Sequence, residues 1–338
     1  MDPVTQGLLG AAASQALLGD RLGWRAGLIG GLAGSAADVD ILFRSSSDPL
    51  LGLEMHRHFT HSLAFAPAGG LLVGLLGWLI LRRRAPLRLA LLAGVVAYFT
   101  HGLLDVMTSY GTLWLWPFSD LRLAWDWLPI VDLFVTGPLL AGLLLSRSSR
   151  VPRLPAAIAL LAFALYCGLG ALQHHRACEA QQRLAAQRGH AVERGRAMPT
   201  PLQLLAWRSV YVSGEDLYAD AFYVPLIGSI RVYEGGSAPR IDPRLSGLPA
   251  GSTAARDLVR FDRFADGYLA VQQSGVIGDL RYSLLPHGLT PIWGIRLDPA
   301  HPDRHAERIH FRGRSIQHLC RYPDFLLGRG GRPLDGPE

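Results

Sequence analysis

Residues 62–81 run for twenty positions without a charged side chain, enough apolar chain to cross about 30 Å of hydrocarbon as a helix. Residues 89–107 are nearly as apolar but carry His101 and Asp105, residues 129–146 carry Asp132, and residues 154–172 are again uncharged. These four segments read as membrane spans. Ahead of them, residues 4–19 and 24–41 are rich in Gly and Ala, a composition suited to close helix packing in lipid. They are expected to form a helical hairpin turning at Asp20, Arg21 and Gly23. Residues 174–198 are polar, rich in Gln, Arg and Ala, and read as a helix leaving the membrane. Beyond Pro199-Thr200-Pro201 the period drops to two, in Val210-Tyr211-Val212, Ala221-Phe222-Tyr223-Val224, Ile230-Arg231-Val232-Tyr233 and Trp293-Gly294-Ile295-Arg296-Leu297. Gly235-Gly236 and Ser274-Gly275 supply turns. The predicted fold is an α-helical polytopic membrane domain of about 5–6 helices over residues 1–172, a polar connecting helix over 173–198, and a small β-rich extramembrane domain over 199–338.

Composition separates the same two materials. Of 338 residues 49% are hydrophobic and 18% charged, with positive mean hydropathy. The first 172 residues hold 22 charged side chains and the remaining 166 hold 38. All 33 basic residues are Arg, which excludes a Schiff-base enzyme, a Lys nucleophile and a P-loop with its phosphate-gripping Lys; codon bias is the plain cause of the missing Lys. The net charge of +6 would suit nucleic acid if the Arg residues clustered on one soluble face. In the membrane half they lie between apolar segments, so no nucleic-acid partner is expected and the Arg excess is read as a topology signal. Connections 20–25, 82–88 and 147–153 hold nine Arg, and connections 44–58 and 108–128 hold three. The first set is expected on the cytoplasmic side, which puts Trp114, Trp116, Trp125 and Trp127 at the outer interface. With six spans, the C-terminal domain also lies outside, in a periplasm-like compartment. Met1-Asp2-Pro3 lacks a basic n-region and is not expected to open a cleaved signal peptide. Three cysteines without a CxxC spacing encode neither a zinc ribbon nor a disulfide framework. Cys167 reads as packing, and Cys178 and Cys320 could pair in an oxidising compartment.

Ionisable residues at membrane depth are costly and are usually functional or paired. On the predicted topology Asp38 and Asp40 fall at the outer end of the second segment, His56, Arg57, His58 and His61 just before the third, His101 and Asp105 at the outer end of the fourth, and Asp132 at the outer start of the fifth. All converge on one membrane face. His101 and Asp105, four apart, share one side of a helix, as two ligands of a common metal require. His56 and His61, five apart, would be splayed by a regular helix, so His56 is expected on the incoming loop, with Thr60 or Ser62 capping the helix that carries His61. Mixed His and Asp ligands suit divalent Zn2+ best, with Mn2+ or Fe as alternatives. Six candidates, Asp38, Asp40, His56, His61, His101 and Asp105, exceed one tetrahedral site and point to more than one ion, within a range of one to three. His174, His175, His287, His301, His305, His310 and His318 lie in polar context without a recurring ligand spacing and read as surface residues.

The motifs Met1-Asp2-Pro3-Val4-Thr5, Ala37-Asp38-Val39-Asp40, His56-Arg57-His58-Phe59-Thr60-His61-Ser62, His101-Gly102-Leu103-Leu104-Asp105 and Leu115-Trp116-Pro117-Phe118 resemble, over roughly residues 1–135, the LexA-regulated, membrane-bound metal-dependent hydrolase family of bacterial inner membranes. The resemblance implies a polytopic hydrolase whose His and Asp residues hold divalent metal, distantly similar to zinc-dependent phospholipase C and P1-type nuclease. Carried over by position, the same six residues are its metal ligands. Many relatives have His where this chain has Gln6, so one metal is lost or is held by Asp2 instead. The C-terminal part, with Asp279-Leu280-Arg281, looks like that of longer family members. In the mechanism this implies, a metal-bound water attacks, Arg57 or a second metal stabilises charge developing on a phosphoryl or acyl oxygen, and Asp132 or an unliganded Asp40 acts as general base. The expected partners are the lipid bilayer and a lipid or phosphoester substrate. Other readings remain open: His and Asp as hydrogen-bonded glue between helices, Asp132 as a helix cap, a transporter relay, or a sensor or scaffold with a structural metal whose β domain binds a partner.

Overall fold

The structure is a computed structural model and describes residues 1–82, 84–272, 275–311 and 322–335. Arg83, Ser274, His318 and Cys320, to which expectations attach, lie outside the described residues. The chain divides into two compact units, one of Met1–Phe43, Met55–Leu172 and Pro201–Gln203, the other of Arg44–Glu54, Gln173–Thr200 and Leu204–Glu338.

In the first unit the Asp2 carboxylate accepts from the Thr5 amide at 3.0 Å and Pro3 needs no donor in a first turn, so α1 runs Pro3–Leu22 from the start of the chain. Gly23, at φ +58, turns it into α2, Trp24–Ser35, which is the expected hairpin. A 3-10 segment, Ala36–Leu42, follows. The short α3, Leu51–Met55, belongs to the second unit up to Glu54, and a 3-10 turn, Phe59–His61, then leads into α4, Ala66–Ile80. Then come α5, Leu87–Val106, α6, Leu133–Ser148, and α7, Arg153–Gln187. Helices α4 and α5 meet backbone to backbone: a Cβ at Gly94 would lie 2.2 Å from the Gly70 carbonyl oxygen, so only glycine fits there.

Among the described residues α5 and α7 are long and apolar enough to cross a membrane, and a third span results if Leu51–His61 and Ala66–Ile80, bent by 82°, count as one. Two to three candidate spans thus stand where five to six were expected, for local reasons. Ser62 is extended and its hydroxyl accepts from the Phe65 amide at 3.2 Å, so α4 begins at Ala66. Asp132 caps α6 at Leu133 and leaves it 16 residues, about 24 Å of helix against about 30 Å of hydrocarbon. Regular α-helix in the second segment ends at Ser35.

In the second unit α7 continues to Gln187, where Gly189 at φ +73 lets the His190 amide return to the Ala185 carbonyl at 2.9 Å. The helix predicted to Met198 therefore ends early, and its last residues enter strand β1, Arg194–Pro199. Next come β2, Ala206–Ser213, β3, Asp216–Tyr223, and β4, Arg231–Pro239. Helix α8, Thr253–Phe264, precedes β5, Leu269–Val271, β6, Ile277–Asp279, β7, Trp293–Arg296, β8, Glu307–His310, and β9, Arg332–Pro333. Strands β1-β2-β3-β4-β9 form one antiparallel sheet and β5-β6-β7-β8 another. Alternation sorts the faces: Trp207 and Phe222 pack with Ala177, Ala180 and Leu184 of α7, while Val210, Val212, Leu217 and Ala219 pack with Tyr268 and Leu280. Gly235-Gly236, expected as a turn, lies inside β4. The register shifts there opposite Asp220, whose carboxylate accepts from the Gly235 amide at 3.0 Å. A Cβ at Gly235 would fall 2.0 Å from the Ala219 carbonyl oxygen, so the pair forms a bulge.

Arg260 of α8 holds residues 44–54 in this unit, donating to Asp48 at 2.8 and 3.1 Å, to Glu54 at 2.7 Å and to Asp257 at 2.9 Å. Burial alone would raise the Asp48 carboxyl, but hydrogen bonds from Arg260 hold it below the usual carboxylate range. A depressed carboxylate stabilises the fold above its unfolded pKa of about 4, and that stabilisation is lost as pH falls through the lower folded value. Arg260→Gln is therefore expected to lower the melting temperature by a margin that is constant near neutrality and shrinks below about pH 4. Thermal unfolding of both chains across that range checks it, and an undiminished margin in acid would refute the assignment.

Candidate metal centre

The 3-10 segment after α2 turns Asp38 and Asp40 in different directions, since successive residues of such a helix step by about a third of a turn. Asp40, 1% exposed, faces the loop that follows α3. Its Oδ2 accepts from the Arg57 amide at 2.8 Å and from the Thr60 hydroxyl at 3.2 Å, and its Oδ1 lies 2.9 Å from His56 Nδ1. Asp38 faces His61 and α5, with Oδ1 at 3.4 Å from His61 Nε2 and 3.5 Å from His101 Nε2. His101 and Asp105, one turn apart on α5, complete the group, with Asp105 Oδ2 at 3.2 Å from His61 Nε2 and 3.5 Å from His101 Nε2. Ligand atoms of Asp38, His61, His101 and Asp105 all lie within 4.8 Å of one another, as do those of Asp38, Asp40 and His56. All six residues singled out by spacing come together, in two groups that share Asp38.

Protonation follows from the partners. His101 Nδ1 is 2.6 Å from the Gly34 carbonyl oxygen, which only accepts, so Nδ1 carries a hydrogen and Nε2 is the nitrogen turned inward, with a free lone pair in the neutral ring. His61 Nδ1 lies between the Thr60 hydroxyl at 3.0 Å and Asp40 Oδ2 at 3.2 Å. Thr60 gives its hydrogen to Asp40 and accepts from His61, so here too the inward nitrogen is Nε2. Two such nitrogens, 3.0 Å apart, face each other beside the buried Asp105 Oδ2, which has no hydrogen-bond partner. With both rings neutral these acceptors repel one another, and a cation between them, a proton or a metal ion, relieves this. The outer hydrogen bonds, from imidazole to a carbonyl and to a carboxylate-linked hydroxyl, are those that orient metal-binding histidines. The donor set therefore fits a divalent ion of the zinc, manganese or iron kind.

Arg57, at φ +59 and 4% exposed, places its guanidinium over the Tyr110 ring. It reaches Asp105 Oδ1 at 3.2 Å and donates to the Thr108 hydroxyl at 2.9 Å. Asp105 Oδ1 also accepts from the Met1 amino group at 2.6 Å and from Gln6 Nε2 at 2.9 Å, so one oxygen of Asp105 is held by donors and the other is left to the imidazoles. Gln6 is fully buried beside the centre, with an unpartnered Oε1, whereas Asp2, the alternative ligand, caps α1 through both oxygens. Asp132 lies outside both groups; it caps α6 by accepting from the Phe134 amide and from the Tyr166 hydroxyl, each at 2.8 Å. His58 packs against Trp116. His61 sits at the end of the 3-10 turn and not on α4, because the turn and the extended Ser62 come first.

Sequence reasoning did not single out Gly34, Thr108, Tyr98 and Gly102. The Tyr98 hydroxyl donates to the Thr60 carbonyl at 3.0 Å, and a Cβ on Gly102 would lie 2.4 Å from the His61 carbonyl oxygen. For Gly102 a signal existed: a glycine directly after a candidate ligand marks close approach of another backbone.

The six candidate ligands, together with the apolar helices around them, fall within residues 1–177, the stretch matched by the family model described as YdjM inner membrane protein. No curated protein and no solved structure matches the chain. With more than half its length under that match, and with two to three helices apolar enough to cross a membrane, the chain belongs to the YdjM inner membrane protein family.

Proposed function

We propose that the chain is a membrane-embedded, metal-dependent hydrolase acting on a phosphoester or lipid-type substrate, as the resemblance to the LexA-regulated hydrolase family implies. The observation that carries this reading is the facing pair of His61 and His101 Nε2 atoms, 3.0 Å apart, with Asp105 Oδ2 unpartnered beside them. Asp38, His61, His101 and Asp105 would hold one divalent ion, Zn2+ before Mn2+ or Fe, and Asp38, Asp40 and His56 a second, within a range of one to three. Such an ion supplies Lewis acidity and a water that ionises near neutral pH. Arg57 and Gln6 hold Asp105 in one orientation, and Asp40 with Thr60 keeps the His61 hydrogen on Nδ1. Asp38, whose side chain keeps 19% exposure while those of His61 and His101 have none, is the ligand that an entering water would reach first, and Asp132, occupied at α6, lies outside both groups. In this reading the chain is multi-pass, with five to six membrane segments once the Gly-rich hairpin and α6 are counted, and the centre and the C-terminal domain face the periplasm.

Metal analysis of the purified protein, joined to a hydrolysis screen over lipid phosphates and phosphodiesters in detergent, tests the proposal. Bound divalent metal and a chelator-sensitive turnover are expected. A protein that carries no divalent metal and keeps its melting temperature in chelator would sink it.

A further inference from the structure

Helix α7 exposes Leu154, Ile158, Leu161, Leu165 and Leu172, spaced by 4, 3, 4 and 7 residues and hence on one face. That face suits lipid, and it ends at Leu172, after which the helix turns polar at Gln173-His174-His175-Arg176. Position 176 continues the same face one turn beyond Leu172. There Arg176 turns to the chain between β3 and β4, donating to the Pro225 carbonyl at 2.7 Å and to Gln173 Oε1 at 2.6 Å. The buried Gln173 side chain itself donates to the Val224 carbonyl at 2.7 Å and the Leu204 carbonyl at 3.3 Å. Within the second unit the β3–β4 loop is thus tied to α7 at Gln173 and Arg176, in the first polar turn after the stripe.

The loop carries the wrong side chains for water. Ile227 is 93% exposed and Leu226 59%, side by side at the tip, before Gly228 at φ +106 turns the chain back. We infer that Leu226 and Ile227 form a membrane-dipping tip that inserts into the headgroup–acyl boundary of the bilayer crossed by α7. The polar layer on each side of the hydrocarbon is about 5–7 Å deep, so a loop anchored one helical turn above Leu172 lies within reach of it. Arg176 and the exposed Arg231 flank the tip and suit anionic headgroups. The tip gives the β-rich unit a second attachment to lipid besides the helix from which it grows.

The test uses the full chain reconstituted in equimolar phosphatidylethanolamine–phosphatidylglycerol vesicles. Cys167, Cys178 and Cys320 are replaced by Ala, Ile227→Cys is introduced, and the thiol is labelled with an environment-sensitive nitrobenzoxadiazole dye. The expected result is emission shifted to the blue relative to the exposed control Asp298→Cys, and quenched by lipids spin-labelled near the headgroup. Leu226→Cys with Cys167 retained, its thiol being buried, gives an independent reading if the cysteine-free chain does not fold. Water-like emission at both positions would overturn the inference. So would blue-shifted emission that the spin-labelled lipids do not quench, since protein and not lipid would then cover the tip.

Discussion

Under the proposed function, replacing His101 by alanine is expected to abolish divalent-metal binding and to lower hydrolytic turnover by about a thousandfold, the equivalent of about 4 kcal/mol of the transition-state stabilisation that a metal centre would supply. The imidazole is fully buried and braced by the Gly34 carbonyl at 2.6 Å, so its loss leaves the Asp105 Oδ2 and His61 Nε2 acceptors with a cavity that admits water but fixes no ion. The competing account, in which these residues only glue helices together, assigns such a pair about 0.6 kcal/mol and no dependence on metal. Metal content, melting temperature with and without chelator, and turnover separate the two. If His101→Ala binds metal as the parent does, or melts lower by the same margin in chelator as without it, the centre is structural glue. His61→Ala with His101→Ala is expected to cost little more than either alone, since one ion can be lost only once. Asp132→Asn provides the contrast: it touches neither ligand group, and should leave metal content unchanged while weakening the α6 cap by at most about 1 kcal/mol.

What the sequence made legible was chemistry with a local rule behind it. The i, i+4 spacing of His101 and Asp105 needs nothing but a helix, and the hairpin at Gly23 needs one residue tolerant of positive φ. The alternation through Val210-Tyr211-Val212 needs a sheet covered on both faces, which β2 has. Other features depend on distant partners. Whether Asp38 and Asp40 point together or apart is decided by the 3-10 geometry after α2, and whether His61 sits on a helix is decided by Ser62. Gly235-Gly236 carries the composition of a turn, yet Asp220 across the sheet makes it a bulge. The apolar stretch at 129–146 has the composition of a span, yet Asp132 delays its helix to Leu133. Apolar composition therefore marks where lipid is tolerated, while capping side chains decide how much of that length becomes helix.

Asp279→Ala is expected to destabilise the β-rich unit by about 3–5 kcal/mol, the range for removing one partner of a buried ion pair. Arg281 is 2% exposed and Asp279 not at all. Their side chains meet twice, Nε to Oδ1 at 3.0 Å and Nη2 to Oδ2 at 2.8 Å, while the Arg281 amide donates to Oδ1 at 3.1 Å. The guanidinium also donates to the Phe264 carbonyl at 2.8 Å and lies over the Phe264 and Tyr282 rings at 5.3 and 5.2 Å. Burial would lower the affinity of Arg281 for its proton, but the charge of Asp279 more than offsets this and raises its pKa above the ordinary arginine value. Arg281 therefore stays charged at any working pH, and without Asp279 the charge is stranded inside the unit that joins α8 to β6. The size of the loss comes from that stranding and not from the net worth of the pair. Asp279→Ala combined with Arg281→Met should accordingly recover most of the stability, because an apolar side chain of similar length fills the space between the two rings without a charge to solvate. Urea or thermal unfolding of the two single variants and the double variant decides it. A double variant no more stable than Asp279→Ala would mean that Arg281 holds this region chiefly through the Phe264 carbonyl and the aromatic rings, and that the motif Asp279-Leu280-Arg281 is a backbone clamp whose carboxylate only orients it.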